Sequence, residues 1–137
     1  MNEITHKQNI GKIGEDIAVK YLENKGFALI EQNYRKKYGE IDIIAKKGKI
    51  LHFVEVKSVS CENFNDFGVN VSRVTDQHRP EDNIHHKKLK RLANTLHVYL
   101  LEKFPNMQTE WVFDVITVRL SIETRQARVK FLENLIL

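Results

Sequence analysis

Apolar residues recur at spacings of three and four from about Asn9 to Lys25, where Ile10, Ile13, Gly14, Ile17, Ala18, Tyr21 and Leu22 share one face. That period predicts an amphipathic helix, and Gly26 is placed to stop it. The period then shortens to two. Phe27–Tyr34 reads as a first strand, Gly39–Lys46 as a second and Lys49–Ser58 as a third, rich in Ile, Val and Phe. Between the last two, Lys47-Gly48 predicts a tight hairpin turn in which glycine supplies a positive φ. From about 59 to 86 no period holds, and Asn63, Asn65, Asp66, Gly68, Asn70, Pro80 and Asn83 break the pattern. An irregular insertion of that length is uncommon in a compact domain unless it is mobile or functional. A second helix is expected from about Ile84 to Phe104, ended by Pro105-Asn106. Trp111–Leu120 reads as a fourth strand and Ala127–Leu132 as a fifth.

The order is therefore αβββαβ(β). One long helical crossover implies that the fourth strand returns parallel to the third, which makes an α/β protein with a mixed sheet flanked by helices. Leu51 and Phe53 on one side of the third strand, with Ile50, Val54 and Val56 on the other, mark it as an interior strand.

The chemistry gathers on the second and third strands. Side chains alternate, so Glu40, Asp42 and Ile44 share a face, as do Leu51, Phe53, Glu55 and Lys57. With Lys47-Gly48 as the turn, Glu40 falls opposite Glu55, Asp42 falls opposite Phe53, and Asp42 and Glu55 are diagonal neighbours on one side of the sheet. The plainer reading is a solvated face on which Lys57 pairs with Glu55 or Glu40. Against it stands the interior character of the third strand. Two carboxylates at ~4 Å repel by about 4 kcal/mol at an effective dielectric of 20, so such a cluster raises a pKa or binds a cation. An all-carboxylate site suits Mg²⁺ or Mn²⁺ better than zinc. Such an ion polarises a phosphoryl oxygen and acidifies a bound water, and Lys57, two residues beyond Glu55, can orient that water.

Length and composition agree without demanding this. The chain has 137 residues, 42% hydrophobic and 29% charged, enough for one domain (1–137) with its own core. The single cysteine, Cys61, builds neither a disulfide framework nor a cysteine-rich zinc site, and no apolar run is long enough to span a membrane, so a reduced cytoplasmic setting is expected. His78, His85 and His86 with Cys61 lack paired zinc-ligand spacing. The net charge of +4 permits a polyanionic partner. Its bases are unevenly spread, with three clusters: Arg35-Lys36-Lys37, then Lys46, Lys47 and Lys49, then Lys87, Lys88, Lys90 and Arg91. Each is an ordinary solvated surface taken alone; around one site they form the footprint of a phosphate-backbone binder, with Arg35, Lys87, Lys88 and Arg91 as the contacts. Tyr34 and Tyr38 are the only nearby aromatics for base stacking. Trp111 and Phe113 read as core, and Asp114, inside an apolar strand, needs a partner.

Asp42, then Glu55-Val56-Lys57, resembles the D…(D/E)-x-K core of the PD-(D/E)XK, or restriction-endonuclease-like, nucleases. The fuller set includes Gly11-x-x-Gly14-Glu15-x-x-Ala18, Asn33-Tyr34-Arg35, Gly39-Glu40-Ile41-Asp42-Ile43-Ile44, Phe53-Val54-Glu55-Val56-Lys57, Lys88-x-x-Arg91-Leu92 and Phe113-Asp114-Val115-Ile116. Together these resemble the YraN family of bacterial proteins, which is similar to the archaeal Holliday-junction resolvases. The resemblance implies a restriction-endonuclease-like fold and a Mg²⁺-dependent nuclease acting on DNA, including branched forms. It also implies a metal-site role for Glu15, which on its own reads as a first-turn acid favouring the helix dipole. Ser58-Val59-Ser60 stands where the family often has an arginine. The rival expectation is a non-catalytic nucleic-acid-binding module on the same fold. Two-fold DNA substrates are compatible with a homodimer.

Overall fold

The computed structural model describes residues 6–61, 86–106, 108–121 and 123–137. Helix α1 spans His6–Asn24, followed by strands β1 (Ala28–Lys36), β2 (Gly39–Lys47) and β3 (Ile50–Cys61). Helix α2 spans His86–Lys103, and β4 (Glu110–Ser121) and β5 (Gln126–Leu135) complete the chain. The five strands form one sheet in the order β1-β2-β3-β4-β5. Only the β3–β4 pair is parallel, as the helical crossover requires. This α/β arrangement is consistent with the expected restriction-endonuclease-like fold.

Each face of the sheet carries apolar side chains that need cover, and among the described residues each has one helix. Ile43, Val54, Ile116 and Val118 pack under Ile10, Ala18 and Leu22 of α1. Ile44, Phe53, Phe113 and Val115 pack under Leu92, Leu96 and Tyr99 of α2. α1 stops as its sequence requires: Gly26 takes φ +93°, its N–H donates to the Glu23 carbonyl, and the Phe27 N–H donates to the Leu22 carbonyl. This is a Schellman closure, with Leu22 and Phe27 supplying the accompanying apolar contact. No helix among the described residues is long and apolar enough to cross a membrane.

The hairpin departs from expectation by one position. Gly48-Lys49, not Lys47-Gly48, makes the turn, because Gly48 takes φ +61° at the first turn position, where a type II′ hairpin puts its glycine. Lys47 therefore pairs with Ile50, Ile44 with Phe53 and Ile43 with Val54. The loop remains two residues long, so which side chains share a face is unchanged, but every partner shifts by two. Glu40 consequently does not face Glu55; it pairs with Arg35 across the β1–β2 ladder. β3 also continues through Val59 and Ser60 to Cys61, so residues 59–61 are strand rather than part of the irregular stretch expected from 59 to 86; residues 62–85 lie outside those described. Zinc ligation by His78 and His85 lies outside them too.

Asp114 finds its partners here. Its Oδ2 lies 2.5 Å from His52 Nδ1 and its Oδ1 accepts the Asn134 N–H at 2.8 Å. The second bond fills the break in the β4–β5 ladder between Phe113 and Val115. Phe113 is buried and Trp111 packs against the same cluster, as core residues should.

Candidate active site

β2 belongs to two ladders, and they end at different places. Its pairing with β1 runs to Gly39, whereas its pairing with β3 ends at Ile43↔Val54. The next residue, Asp42, takes over with its side chain: Oδ2 accepts the Val56 N–H at 2.8 Å, a bond the departing backbone no longer makes. The sheet is thus forked between β2 and β3, and the carboxylate sits in the fork. Continuing the register by one step puts Glu55 directly across from Asp42, closer than the diagonal neighbour expected.

Asp42 and Glu55 share a side-chain hydrogen bond, and burial together with that bond and the Glu55 charge pushes the Asp42 carboxyl up to about 9. The Val56 N–H opposes the shift without cancelling it. On the other oxygen side, Lys88 Nζ lies 3.2 Å from Glu55 Oε2, a half-exposed ammonium reaching a side chain only 5% exposed. Glu15 approaches from α1. Its carboxyl is raised by burial and then by Glu40, while a hydrogen bond from Asn33 works the other way. With its amide nitrogen facing the acids, Asn33 donates to Glu40 Oε1 at 2.8 Å and to Glu15 Oε1 at 3.1 Å. Asn33 does this from φ +53°, a left-handed conformation that asparagine tolerates better than most residues. Arg35 Nε holds the other oxygen of Glu40 at 3.0 Å.

The fork opens into two cavities. The first, of about 440 Å³, lies on the α1 side and is lined by Glu15, Asp42, Glu55, Lys57, Ser58 and Lys88, among others. The second, of about 350 Å³, adjoins α2 and is lined by Tyr38, Glu40, Arg91 and Leu92 along with Asp42, Glu55 and Lys88. Four of the residues expected at the site, Glu15, Asp42, Glu55 and Lys57, therefore border one space, and Lys88 borders both. Arg91 reaches the second cavity only; neither Arg35 nor Lys87 lines either one. Lys46, Lys47 and Lys49 surround the opposite end of the hairpin, roughly 15 Å from Asp42 at ~3.3 Å per residue, so this second basic group does not rim the site. Lys47 Nζ stands over the Phe27 ring instead.

Three contributors were not legible beforehand. Asn33 stands in the Asn33-Tyr34-Arg35 motif, but its bonds to Glu15 and Glu40 could not be read from it. Tyr38 could not be told from Tyr34. Ser58 Oγ is buried with no hydrogen-bond partner among the described residues, beside the first cavity, and sequence gives no warning of that.

The donor chemistry fits a hard divalent cation. Two touching carboxylates, one of which must keep a proton to relieve repulsion, offer oxygen donors only, the preference of Mg²⁺ and Mn²⁺. Among the described residues no three His, Cys, Asp or Glu side chains stand close enough for a ready-made ligand set. Asp42 and Glu55 are thus the direct candidates, and Glu15 borders the same cavity while Asn33 ties it to Glu40.

The family described as Uncharacterised protein family UPF0102 matches residues 14–118, a span holding both carboxylates, Lys57, Lys88 and strand β4 up to Val118. The chain is 34% identical to a UPF0102 protein of Dictyoglomus turgidum over 94% of its length and 98% of that protein's. It is 36% identical to one of Campylobacter fetus over 88% of each chain, and 36% identical to one of Persephonella marina over 79% of this chain and 81% of the other. Such agreement across nearly whole chains leaves one assignment: the chain belongs to the UPF0102 family, the YraN family that its motifs resemble.

Proposed function

We propose that this protein is a Mg²⁺- or Mn²⁺-dependent nuclease that hydrolyses phosphodiester bonds of cytoplasmic DNA. The observation that carries the reading is the half-buried Asp42 carboxyl bonded to the buried Glu55 in the fork, with Lys57 on the same strand as Glu55 bordering the same cavity. A pair of acids that cannot both ionise is a costly structural ornament and a useful cation site. Asp42 and Glu55 would hold the ion, which when bound supplies Lewis-acid polarisation of a phosphoryl oxygen and a more acidic water. Lys57 Nζ would orient the attacking water and stabilise negative charge on the phosphate. Asn33 ties the Glu15 carboxylate to Glu40. Lys88 and Arg91 supply positive charge for neighbouring phosphates.

The test is cleavage of linear, nicked, flapped and four-way-junction DNA in Mg²⁺ or Mn²⁺, beside Asp42→Asn and Lys57→Ala. Each substitution is expected to lower the rate by at least ~100-fold, the scale of losing a charge-stabilising or proton-positioning group. Cleavage that survives both overturns the mechanism.

One observation favours a second reading, a non-catalytic DNA-binding module. Lys88 already gives Glu55 a cation without any metal. Calorimetric titration with Mn²⁺ separates the two: heat of binding that Asp42→Asn abolishes supports the nuclease, and DNA binding with no Mn²⁺ uptake supports the module.

A further inference from the structure

The two cavities of the fork differ in what they can hold. The first has acids, Lys57 and strand backbone around it. The second shares Asp42, Glu55 and Lys88 with the first and adds Glu40, an aromatic ring, Tyr38, an aliphatic side chain, Leu92, and a further cation, Arg91. That is a nucleotide's own chemistry in complement, with a ring face for a base, apolar cover beneath it and positive charge for the phosphate.

Two tyrosines lie close together in the sequence here, and the structure separates their roles. Tyr34 is buried, edge-on to Tyr99 at 5.1 Å, with its hydroxyl donating to Glu102, so its ring is spent on the core. Tyr38 is 61% exposed at the β1–β2 turn, with Lys37 Nζ 5.7 Å from its ring centroid. The turn carrying it is fixed against α2. A Cβ on Gly39 would lie 2.8 Å from Thr95 Oγ1 and 3.3 Å from the Arg91 carbonyl oxygen, so strand and helix meet at a distance only glycine allows. Tyr38 and Arg91 are therefore carried by backbone that meets in one close contact, so both side chains start from fixed positions.

A base inside a duplex is stacked and cannot enter a pocket of about 350 Å³. We propose that the second cavity binds one unpaired nucleotide, stacked on Tyr38 with its phosphate between Lys88 and Arg91, so that the preferred DNA carries a single-stranded segment beside the bond lying over Asp42 and Glu55. This inference rests on the nuclease reading and names the substrate class of that same site. Glu40, on the wall of the cavity, adds an acceptor for an exocyclic amino group of the base.

The experiment reads binding, with EDTA present so that no bond is cut. Fluorescence anisotropy compares a blunt duplex with the same duplex bearing a single-stranded flap. A fluorescent adenine analogue whose emission is quenched by stacking occupies the first unpaired position. Wild-type protein is expected to bind the flapped DNA about ten-fold more tightly than the blunt one and to quench the analogue. Tyr38→Ala should lose that preference and the quenching while leaving blunt-duplex affinity unchanged, and Tyr38→Phe should keep both. Equal affinity of wild type for both DNAs, or an equal loss on both in Tyr38→Ala, overturns the proposal. Flap-selective cleavage that Tyr38→Ala leaves intact sinks this inference and spares the nuclease; failure to bind either DNA sinks both.

Discussion

Asn33 shows how much of the site depends on one amide. It holds two carboxylates from two elements, Glu15 and Glu40, and adopts a backbone conformation closed to most residues while doing so. Two substitutions separate these roles. Asn33→Gly keeps the backbone and removes the amide, so its melting temperature should hold near wild type while Mn²⁺ affinity falls by about ten-fold, the usual cost of losing a group behind the metal ligands. Asn33→Ala should suffer the same loss and also destabilise the fold by ~1 kcal/mol, because alanine resists positive φ. Asp42 makes a prediction of opposite sign. Its folded carboxyl keeps its proton to about 9, against an ordinary value of 3.8. Between those values the folded chain binds the extra proton and the unfolded chain does not, so metal-free stability falls as pH rises. Asp42→Asn should therefore raise metal-free stability at pH 8 by ~1–2 kcal/mol and flatten its pH dependence, even as it removes activity. Thermal melts across pH in EDTA check both statements.

The elements were more legible than their contacts. Alternation of apolar residues located β1 to β4 and the interior position of β3, because a strand covered on both faces must be apolar on both. The same alternation placed Asp42 and Glu55 on one side of the sheet, since any two-residue loop preserves parity. It could not choose between two loops differing by one residue; the glycine's positive φ decided that, and with it whether the acids are diagonal or face to face. Lys88 on Glu55 and His52 on Asp114 join residues far apart in the chain through the parallel pairing and the helix seat, neither of which leaves a local signature. Helix seating also has its own test. A Cβ on Gly14 would stand 1.7 Å from Ser58 Oγ, so α1 lies against β3 at a distance set by a missing side chain. Gly14→Ala should cost ~1–3 kcal/mol through overpacking and push Glu15 away from the fork. Adding Ser58→Gly should recover much of that loss, and a double-mutant cycle in urea measures the coupling.

At the scale of the whole molecule, the modest excess of positive charge hides a division. Bases at the fork, Lys88 and Arg91, stand among buried acids; those at the hairpin end, Lys46, Lys47 and Lys49, stand at the far end of β2 and β3. If the fork holds the DNA, log affinity plotted against log salt should lose about one unit of slope for each of Lys88→Ala and Arg91→Ala. Replacing all three hairpin lysines should leave the slope unchanged. A slope that follows the hairpin lysines instead would move the DNA surface to the other end of the sheet.

The Val56 amide has a use apart from any reaction. From Ile43↔Val54 to Lys47↔Ile50 the two strands are tied backbone to backbone, but this N–H, just beyond that ladder, is tied to the Asp42 carboxylate. Its hydrogen-exchange rate and its nitrogen chemical shift should therefore follow the charge on that carboxylate rather than the stability of the sheet. On Mn²⁺-free protein the resonance should move as Asp42 titrates, and it should shift again, in slow or fast exchange, as a diamagnetic divalent ion is added. One amide would serve as a native gauge of what occupies the fork, with no label and no substrate.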